Sequence, residues 1–286
     1  EADYFFIKIN NIVDKKRIID SWFDYLQNQI TSQLFDLDTN LSKSSKKIFE
    51  NEWKKDNPKH GGGKSILMRD GKIFDKVGIN KSTVSGIFEK KFRKNILGAD
   101  KNGRYWASGV SVVAHMKNPH IPALHFNTRF IVTSKEWFGG GIDATPCIQD
   151  KNEAEFFHKK LKQLCIKNKK NYRKYKNWCD EYFFLPHRNE PRGLGGIFYD
   201  YLDSKNWESD FSFTKDVGQT FLNSYINITK KTMHLKWNDS DKKLQSFRRS
   251  RYAEFNLLHD RGTKFGLQTN GNIDAIFMSL PPRTGW

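Results

Sequence analysis

Short turns between successive strand-like segments constrain the fold of this chain more than any other feature. Asp70-Gly71, a strong signal for a tight turn, separates the apolar stretches Ile66–Met68 and Ile73–Val77. Two longer extended stretches, Trp106–His115 and Leu124–Ile131, are separated only by a proline-containing loop. Parallel strands need longer crossover connections, usually helical, so these short links favour antiparallel pairing. The sequence therefore predicts a mainly antiparallel sheet.

Helical periodicity surrounds these strands. Apolar residues at steps of four, from Ile18 to Leu34, predict an amphipathic helix over about residues 12–36. Three further helices are predicted at Glu153–Ile166, Tyr172–Phe184 and Val217–Thr232. Three closing strands are predicted at Tyr252–Leu258, Lys264–Gln268 and Ala275–Ser279. A sheet covered by helices makes the fold class α+β.

Charge and composition restrict the partners without selecting one. The formal net charge of +17 attracts nucleic acid, acidic membrane surfaces or a polyanionic small substrate. The apolar runs are too short to span a bilayer, and the start of the chain shows no export signal. Three cysteines without a CxxC pair are typical of a reducing compartment. We expect a cytoplasmic protein without a membrane span.

Polar side chains alternate with apolar ones along Leu124–Phe130. His125, Asn127 and Arg129 are predicted to share one face, with Thr128 on the apolar face. If the preceding strand pairs with this one, Ser111 and His115 join the same surface. Such groups can bind carboxylates and donate protons, although a strand with a solvated outer face explains the pattern equally well.

Three further polar groups lie beside glycine-rich segments that are predicted to be turns. Asp143 follows three glycines in WFGGGIDATP, Arg192 lies in HRNEPRGLGGIF, and Asp260-Arg261 lies in YAEFNLLHDRGTKFGLQT. Glycine turns are usually structural, but they also let the backbone approach a ligand closely. The sequence has no GxxxxGK[ST] phosphate loop, and Gly193-Leu-Gly195-Gly196 lacks the spacing of a dinucleotide site.

Several long strings, in this order, resemble the oxygen-dependent coproporphyrinogen III oxidase family. They are GKIFDKVGINKSTVSG, GVSVVAHMKNPHIPALHFNTRF, WFGGGIDATP, KNWCDEYFFLPHRNEPRGLGGIFYDYL, RYAEFNLLHDRGTKFGLQT and FMSLPPRTGW. The resemblance covers about residues 61–286. It implies a single domain over residues 1–286, with a large antiparallel sheet flanked on both faces by helices, and a homodimer formed through about residues 252–286.

The resemblance also implies a reaction. Family members convert two propionates of coproporphyrinogen III to vinyl groups and give protoporphyrinogen IX in haem biosynthesis. They use molecular oxygen as co-substrate and no organic cofactor. Arg129, Arg192 and Arg261 are predicted to hold the propionates.

Site residues follow from the resemblance position by position. Ser111 and the segment Asn127, Thr128 and Arg129 resemble substrate contacts, and His125 resembles the proposed proton donor. Asn270, Gly271 and Asn272 match another substrate-contacting stretch, although the family usually has glycine and arginine at the first and third of these positions. Metal ligands proposed for some bacterial members fall at His115, His125, His158 and His187. A divalent metal stays open, because these histidines follow no compact ligand spacing.

The general base is assigned to a carboxylate, with Asp260 as the first choice and Asp143 as the second, and Arg261 beside it. Two other classes stay open. A basic nucleic-acid-binding protein would explain the charge, but Asp143, Glu190 and Asp260 would repel phosphates, so we expect no nucleic-acid partner. A non-catalytic porphyrin carrier would bind the same ligand without consuming oxygen.

Overall fold

One antiparallel sheet of seven strands organises the molecule. The computed structural model describes residues 11–38, 48–268 and 271–286. The strands, in chain order, are β1 Ile48–Lys54, β2 Gly61–Arg69, β3 Phe74–Ile87, β4 Arg104–Met116, β5 Ala123–Val132, β6 Glu136–Thr145, β7 Phe184–Leu185, β8 Glu190–Pro191 and β9 Gly195–Leu202. The large sheet has the order β1-β2-β3-β4-β5-β6-β9, and β7 pairs with β8 separately. The predicted antiparallel sheet is confirmed.

Eight helices complete the described residues. They are α1 Ile12–Leu37, α2 Lys90–Arg93, α3 Lys151–Lys167, α4 Tyr172–Tyr182, α5 Trp207–Thr232, α6 Asp239–Leu258, α7 Arg261–Gln268 and α8 Ile273–Phe277. The four predicted helices are confirmed, although α5 begins ten residues before the predicted start at Val217. No helix in the described ranges is long and apolar enough to cross a membrane.

The apolar core lies on one face of the sheet. Phe126 of β5 stacks on Phe221 of α5, with ring centroids 4.9 Å apart. Phe23 and Leu26 of α1 belong to the same buried cluster. The opposite face of the sheet lies under α6, α7 and α8, whose side chains close a cavity against it. Helices therefore flank both faces, as the family resemblance implied.

Two polar residues, Gln27 in helix α1 and Asp38 at its end, bind main-chain atoms of the β2–β3 hairpin. Gln27 donates from its amide to the carbonyl oxygens of Lys64 and Ile79, at 2.8 Å and 3.3 Å. At the end of the helix, the buried Asp38 carboxylate accepts hydrogen bonds from three consecutive backbone N–H groups, residues 72–74. These contacts fix both the middle and the end of the helix on the hairpin.

The prediction of strands over the last 35 residues is wrong. Tyr252–Leu258 forms the last turns of α6, Lys264–Gln268 lies in α7, and Ala275–Ser279 spans α8 and the turn after it. A capping box begins α6, in which the Asn238 side chain accepts from the Asp241 N–H and the Asp241 carboxylate from the Asn238 N–H. The eight residues 249–256 are all buried, so the helix shows no polar face that would reveal its period.

The glycine-rich segment around Gly139–Gly141 is also not a turn. It forms the middle of β6, which pairs with β5 on one side and β9 on the other. An added Cβ at Gly141 would lie 2.6 Å from the carbonyl oxygen of Ile197 on β9. Glycine is required here because neighbouring strands approach closely, rather than because the chain reverses.

Candidate active site

A cavity of about 500 Å³ lies between the polar face of the sheet and the helices of the C-terminal segment. Its floor is formed by β3, β4, β5, β6 and β9, and α6, α7 and α8 lie over it. The predicted site residues that line it are Ser111, His125, Asn127, Thr128, Arg129, Arg192, Asp260, Arg261, Gly271 and Asn272. Residues far apart in the sequence therefore meet in one enclosure.

Strand register explains how the floor is assembled. Ser111 of β4 lies directly opposite Asn127 of β5, and His125 lies opposite Asp143 of β6. Burial alternates along β5, with Leu124, Phe126, Thr128 and Phe130 buried and the residues between them partly exposed. The predicted alternation is thus confirmed, and the side chain of Thr128 lies on the core side.

A buried carboxylate, Asp143, does not itself line the cavity but contacts His125, which does. Asp143 Oδ1 lies 2.7 Å from His125 Nδ1, and its Oδ2 accepts a hydrogen bond from Arg192. Burial opposes ionisation of Asp143, but the charges of Arg192 and His125 outweigh it and hold the pKa of Asp143 below its ordinary value. With the ionised carboxylate at Nδ1, the imidazole carries its proton there, and Nε2 is left 3.4 Å from the Asn127 amide nitrogen.

Arg192 reaches the lining of the cavity, but its side chain is almost completely buried. Its guanidinium carbon lies 4.0 Å from the ring centroid of Phe183, 4.5 Å from that of Tyr252 and 4.8 Å from that of Phe255. Aromatic faces and the Asp143 carboxylate together compensate for the desolvation of this charge. Its position favours a role through Asp143.

Arg129 has a more open setting. Its guanidinium pairs with Asp200 of β9 at 2.8 Å, and about 30% of its side chain is exposed. Gly139 of β6 lies between the strands that carry Arg129 and Asp200. Its lack of a side chain makes room for this ion pair, since a Cβ at Gly139 would lie 2.6 Å from Asp200 Oδ1. The guanidinium is therefore held in place and still accessible to an anionic ligand.

Asp260 begins helix α7 at the edge of the cavity. Its Oδ2 accepts from the backbone N–H and the hydroxyl of Thr263, at 2.7 Å and 2.9 Å. Its Oδ1 accepts from the Tyr182 hydroxyl at 2.8 Å. The Asp260-Arg261 pair thus occupies a helix N-terminus, where a carboxylate is favoured, and not a hairpin turn.

The other predicted substrate segment is only partly described. Gly271 and Asn272 line the cavity, and Asn272 caps α8 by accepting from the Ala275 N–H at 2.9 Å. Asn270 lies outside the described residues.

The four histidines of the metal hypothesis occupy separate environments. His115 is buried against Tyr252 and contacts the carbonyl oxygen of Ser279, and burial lowers its pKa to about 3. His158 bonds the hydroxyl of Tyr172 and the carbonyl of Leu194.

His187 lies between His259 and Glu254, at 3.0 Å and 2.8 Å. Within the described ranges, no group of three or more His, Cys, Asp or Glu side chains could hold a metal ion. The arrangement does not fit the expected ligand set, and no chemical step is routed through a metal.

The cavity residues that sequence reasoning missed include Asn80, Tyr182 and Asp200. Asn80 lies directly opposite Ser111 across β3 and β4. Its polar side chain within a buried strand was a usable signal, as was Asp200 in the apolar run Gly195–Leu202. Tyr182 gave no local signal, because its contacts are made by α7.

The fold and the cavity define the class: an α+β protein whose sheet and helices enclose a histidine–carboxylate pair and two accessible arginines, the organisation of an enzyme for an acidic substrate. The sequence profile of the coproporphyrinogen III oxidase family matches residues 18–286. The chain belongs to this family, and the match begins within α1, well before residue 61.

Curated relatives are similar over nearly their whole length. An oxygen-dependent coproporphyrinogen-III oxidase of Rickettsia bellii (strain RML369-C) is 49% identical over 276 residues, covering 95% of this chain and 98% of the relative. Proteins of the same name from Rickettsia akari (strain Hartford) and Rickettsia rickettsii (strain Sheila Smith) are 48% and 47% identical over 275 residues, covering 94% of this chain and 98% of each relative.

Proposed function

We propose that this protein is an oxygen-dependent coproporphyrinogen III oxidase, which converts two propionates of its substrate to vinyl groups and yields protoporphyrinogen IX in haem biosynthesis. Each propionate loses carbon dioxide, two electrons and a proton, and molecular oxygen accepts the electrons. The observation that carries the proposal is the cavity itself. It combines a histidine–carboxylate pair with arginines in a chain that belongs to this family.

We assign proton donation to His125. The ionised Asp143 holds the Nδ1 proton, so Nε2 is the nitrogen that takes up a second proton and delivers it to a ligand. A carboxylate whose pKa is held low by Arg192 is a weak proton acceptor, which favours Asp143 as the group that orients His125. Asp260 stays the preferred general base, since it lies at the cavity edge among neutral donors.

Substrate binding is assigned to the arginines and donors of the floor and edge. Arg129 and Arg261 line the cavity and would take propionates, while Ser111 and Asn127 offer neutral hydrogen bonds. Arg192 would act through Asp143. Thr128, Gly271 and Asn272 would contribute through their positions along the lining, and Asn270 belongs to the same proposed segment.

The assembly and location of the protein are also proposals. A homodimer through about residues 252–286 is supported by the exposed apolar side chains of Leu257, Leu258, Ile273 and Trp286. One continuous core that joins α1, the sheet and α5 supports a single domain. A cytoplasmic location rests on the sequence.

The decisive experiment supplies freshly reduced coproporphyrinogen III in air and follows the tricarboxylic intermediate and protoporphyrin by fluorescence after oxidation. We expect both products, with oxygen consumed and carbon dioxide released, and no conversion under anaerobic conditions. Tight binding without oxygen consumption would instead identify a porphyrin carrier. Failure to bind the tetrapyrrole, with salt-sensitive binding of nucleic acid, would support the nucleic-acid alternative.

A further inference from the structure

We propose that Tyr182 is a positioning residue that holds Asp260 and Arg261 in their working geometry at the edge of the cavity. The inference rests on the proposed function and adds a residue to which the sequence analysis assigned no role. Tyr182 is the last helical residue of α4.

The phenol ring is fixed by its neighbours. It stacks on Phe198 of β9, with ring centroids 4.4 Å apart and planes inclined by 9°. The rings of Phe183 and Phe255 pack against its edge or face, at 4.8 Å and 5.7 Å. Three aromatic contacts from different elements leave the ring one orientation, so its hydroxyl points to a defined place.

The hydroxyl contacts both residues of the Asp260-Arg261 pair. It donates to Asp260 Oδ1 at 2.8 Å and accepts from the backbone N–H of Arg261 at 3.1 Å. The other oxygen of Asp260 is held by Thr263, which belongs to the first turn of the same helix. Tyr182 is thus the contact that ties this carboxylate to α4, across 78 residues of sequence.

The ring contacts the Arg261 side chain as well. The guanidinium carbon lies 5.0 Å from the centroid of the Tyr182 ring and 5.9 Å from that of Phe198. Both distances suit a cation–π contact, which restrains a long, otherwise exposed side chain without neutralising its charge. Arg261 therefore remains free to pair with an anionic group.

The hydroxyl stays a proton donor over the working pH range. Burial and the nearby Asp260 carboxylate raise the pKa of Tyr182 well above its ordinary value. A neutral phenol that donates to a carboxylate stabilises the ionised form, which is the form a general base needs. Tyr182 would therefore set the direction of the base and supply one of its hydrogen bonds.

The test is Tyr182→Phe, which keeps the stack and the cation–π contact and removes only the hydroxyl. The change takes away the donor that ties the Asp260 carboxylate to α4. We expect the acidic limb of the pH dependence of kcat/KM to move upward by about one pH unit, and kcat at neutral pH to fall about tenfold. Tyr175→Phe is the matched control, because Tyr175 is a buried tyrosine that packs on Tyr199 and Phe213 away from the cavity.

An acidic limb that coincides with that of the wild type, in a folded variant, would overturn the proposal. If Tyr182→Phe does not fold, incorporation of a fluorinated tyrosine at position 182 keeps the shape and strengthens the donor, and the limb should then move to lower pH. An unmoved limb there would overturn it equally. A wild-type protein that does not convert coproporphyrinogen III would refute the proposed function itself, which separates the two failures.

Discussion

At the scale of single residues, Asp143 shows how the site keeps a charge inside the protein. Both carboxylate oxygens have cationic or protonatable partners, His125 on one side and Arg192 on the other. Arg192 in turn is enclosed by aromatic rings and lies almost entirely out of water. The buried charges of Asp143 and Arg192 therefore stabilise each other, and the loss of either would leave the other uncompensated.

Replacing Asp143 should therefore affect both the fold and the reaction. We expect Asp143→Asn to abolish turnover and to lower the free energy of unfolding by about 3–5 kcal/mol, because Arg192 would remain buried without its counter-charge. Urea unfolding and the oxidase assay measure the two effects. Asp200→Asn is the control, since its partner Arg129 is partly exposed and its loss should cost about 1 kcal/mol or less. Equal destabilisation by the two changes would contradict this account.

Asp260 can be separated from the fold more cleanly. Asn is as good an N-cap as Asp, so Asp260→Asn should keep α7 and the thermal midpoint while removing the proposed general base. We expect turnover to be lost. Near-normal activity in a folded variant would remove Asp260 from the mechanism. Asp241→Asn, in the capping box of α6 and outside the cavity lining, controls for loss of a carboxylate at a helix start.

The site residues that could be predicted from sequence lie on a strand in which polar and apolar residues alternate. His125, Asn127 and Arg129 could be assigned to one face because Phe126 and Phe130 mark the other. Tyr182 could not, because its role depends on the docking of α7 against α4. A single sequence carries the period of an element but not its tertiary neighbours.

At the scale of elements, β6 has the sequence of a turn and the structure of a central strand. Its cavity-facing glycines, Gly139 and Gly141, provide a floor without side chains between the His125–Asp143 pair and the Arg129–Asp200 pair. Composition alone suggested a turn, since glycine is rare in strands. The interpretation is wrong because β5 and β9 approach β6 closely from its two sides, which a single sequence does not reveal.

Two glycine substitutions should have different consequences. An added methyl group at Gly139 meets the ends of the Asp200 and Arg129 side chains, which can move, so Gly139→Ala should fold and raise KM by roughly tenfold through a displaced guanidinium. At Gly196 the methyl group would lie 1.9 Å from the carbonyl oxygen of Ile142, so Gly196→Ala should disrupt the pairing of β6 and β9. Circular dichroism and steady-state kinetics distinguish the two. A normal KM in Gly139→Ala would argue against Arg129 as a substrate contact.

The helices α6, α7 and α8 lie where the sequence analysis predicted strands. Aromatic and apolar residues in Tyr252–Leu258 have the composition of a strand, but the segment is the end of a helix in which residues 252–256 are all buried and only Leu257 and Leu258 are exposed. Periodicity predicts helices where one face meets water, as for α3 and α4. It fails where a helix is enclosed.

At the scale of the whole molecule, Glu254 joins distant parts of the chain. Its carboxylate accepts from Arg188 and His187, which precede α6, and from the indole of Trp286, which follows it. These donors lower the pKa of Glu254 from an ordinary 4.5 to about 2. The contact links the β7–β8 hairpin to the C-terminal end.

The sign of the pH effect follows from that lowered pKa. The contribution of Glu254 to stability is complete above about pH 4.5 and is lost as pH falls towards 2, because the unfolded state binds the proton first. We expect Glu254→Gln to lower the free energy of unfolding at pH 7 and to differ progressively less from the wild type below pH 4.5. Urea unfolding across this range measures the gap. If the difference in free energy of unfolding between the variant and the wild type is constant with pH, the destabilisation comes from packing instead.

The net charge of +17 predicts a salt effect on substrate capture. Screening lengths fall from about 10 Å at 0.1 M salt to about 3 Å at 1 M, so long-range attraction of a tetra-anionic ligand weakens. We expect KM for coproporphyrinogen III to rise several-fold over this range while kcat changes little. Steady-state kinetics at constant pH test this. An unchanged KM would mean that only local contacts govern binding.

The attachment of α1 has a consequence for how the sequence can drift over evolution. Gln27 and Asp38 bind peptide groups of the hairpin rather than its side chains. Substitutions along β2 and β3 therefore leave these two contacts intact as long as the strands keep their register, whereas the ion pairs of Lys81 with Asp20 and Asp24 depend on the side chain that β3 carries. Exchange of either polar residue on the helix would weaken the join whatever the hairpin carries, so tolerance to change is distributed unequally between the two partners.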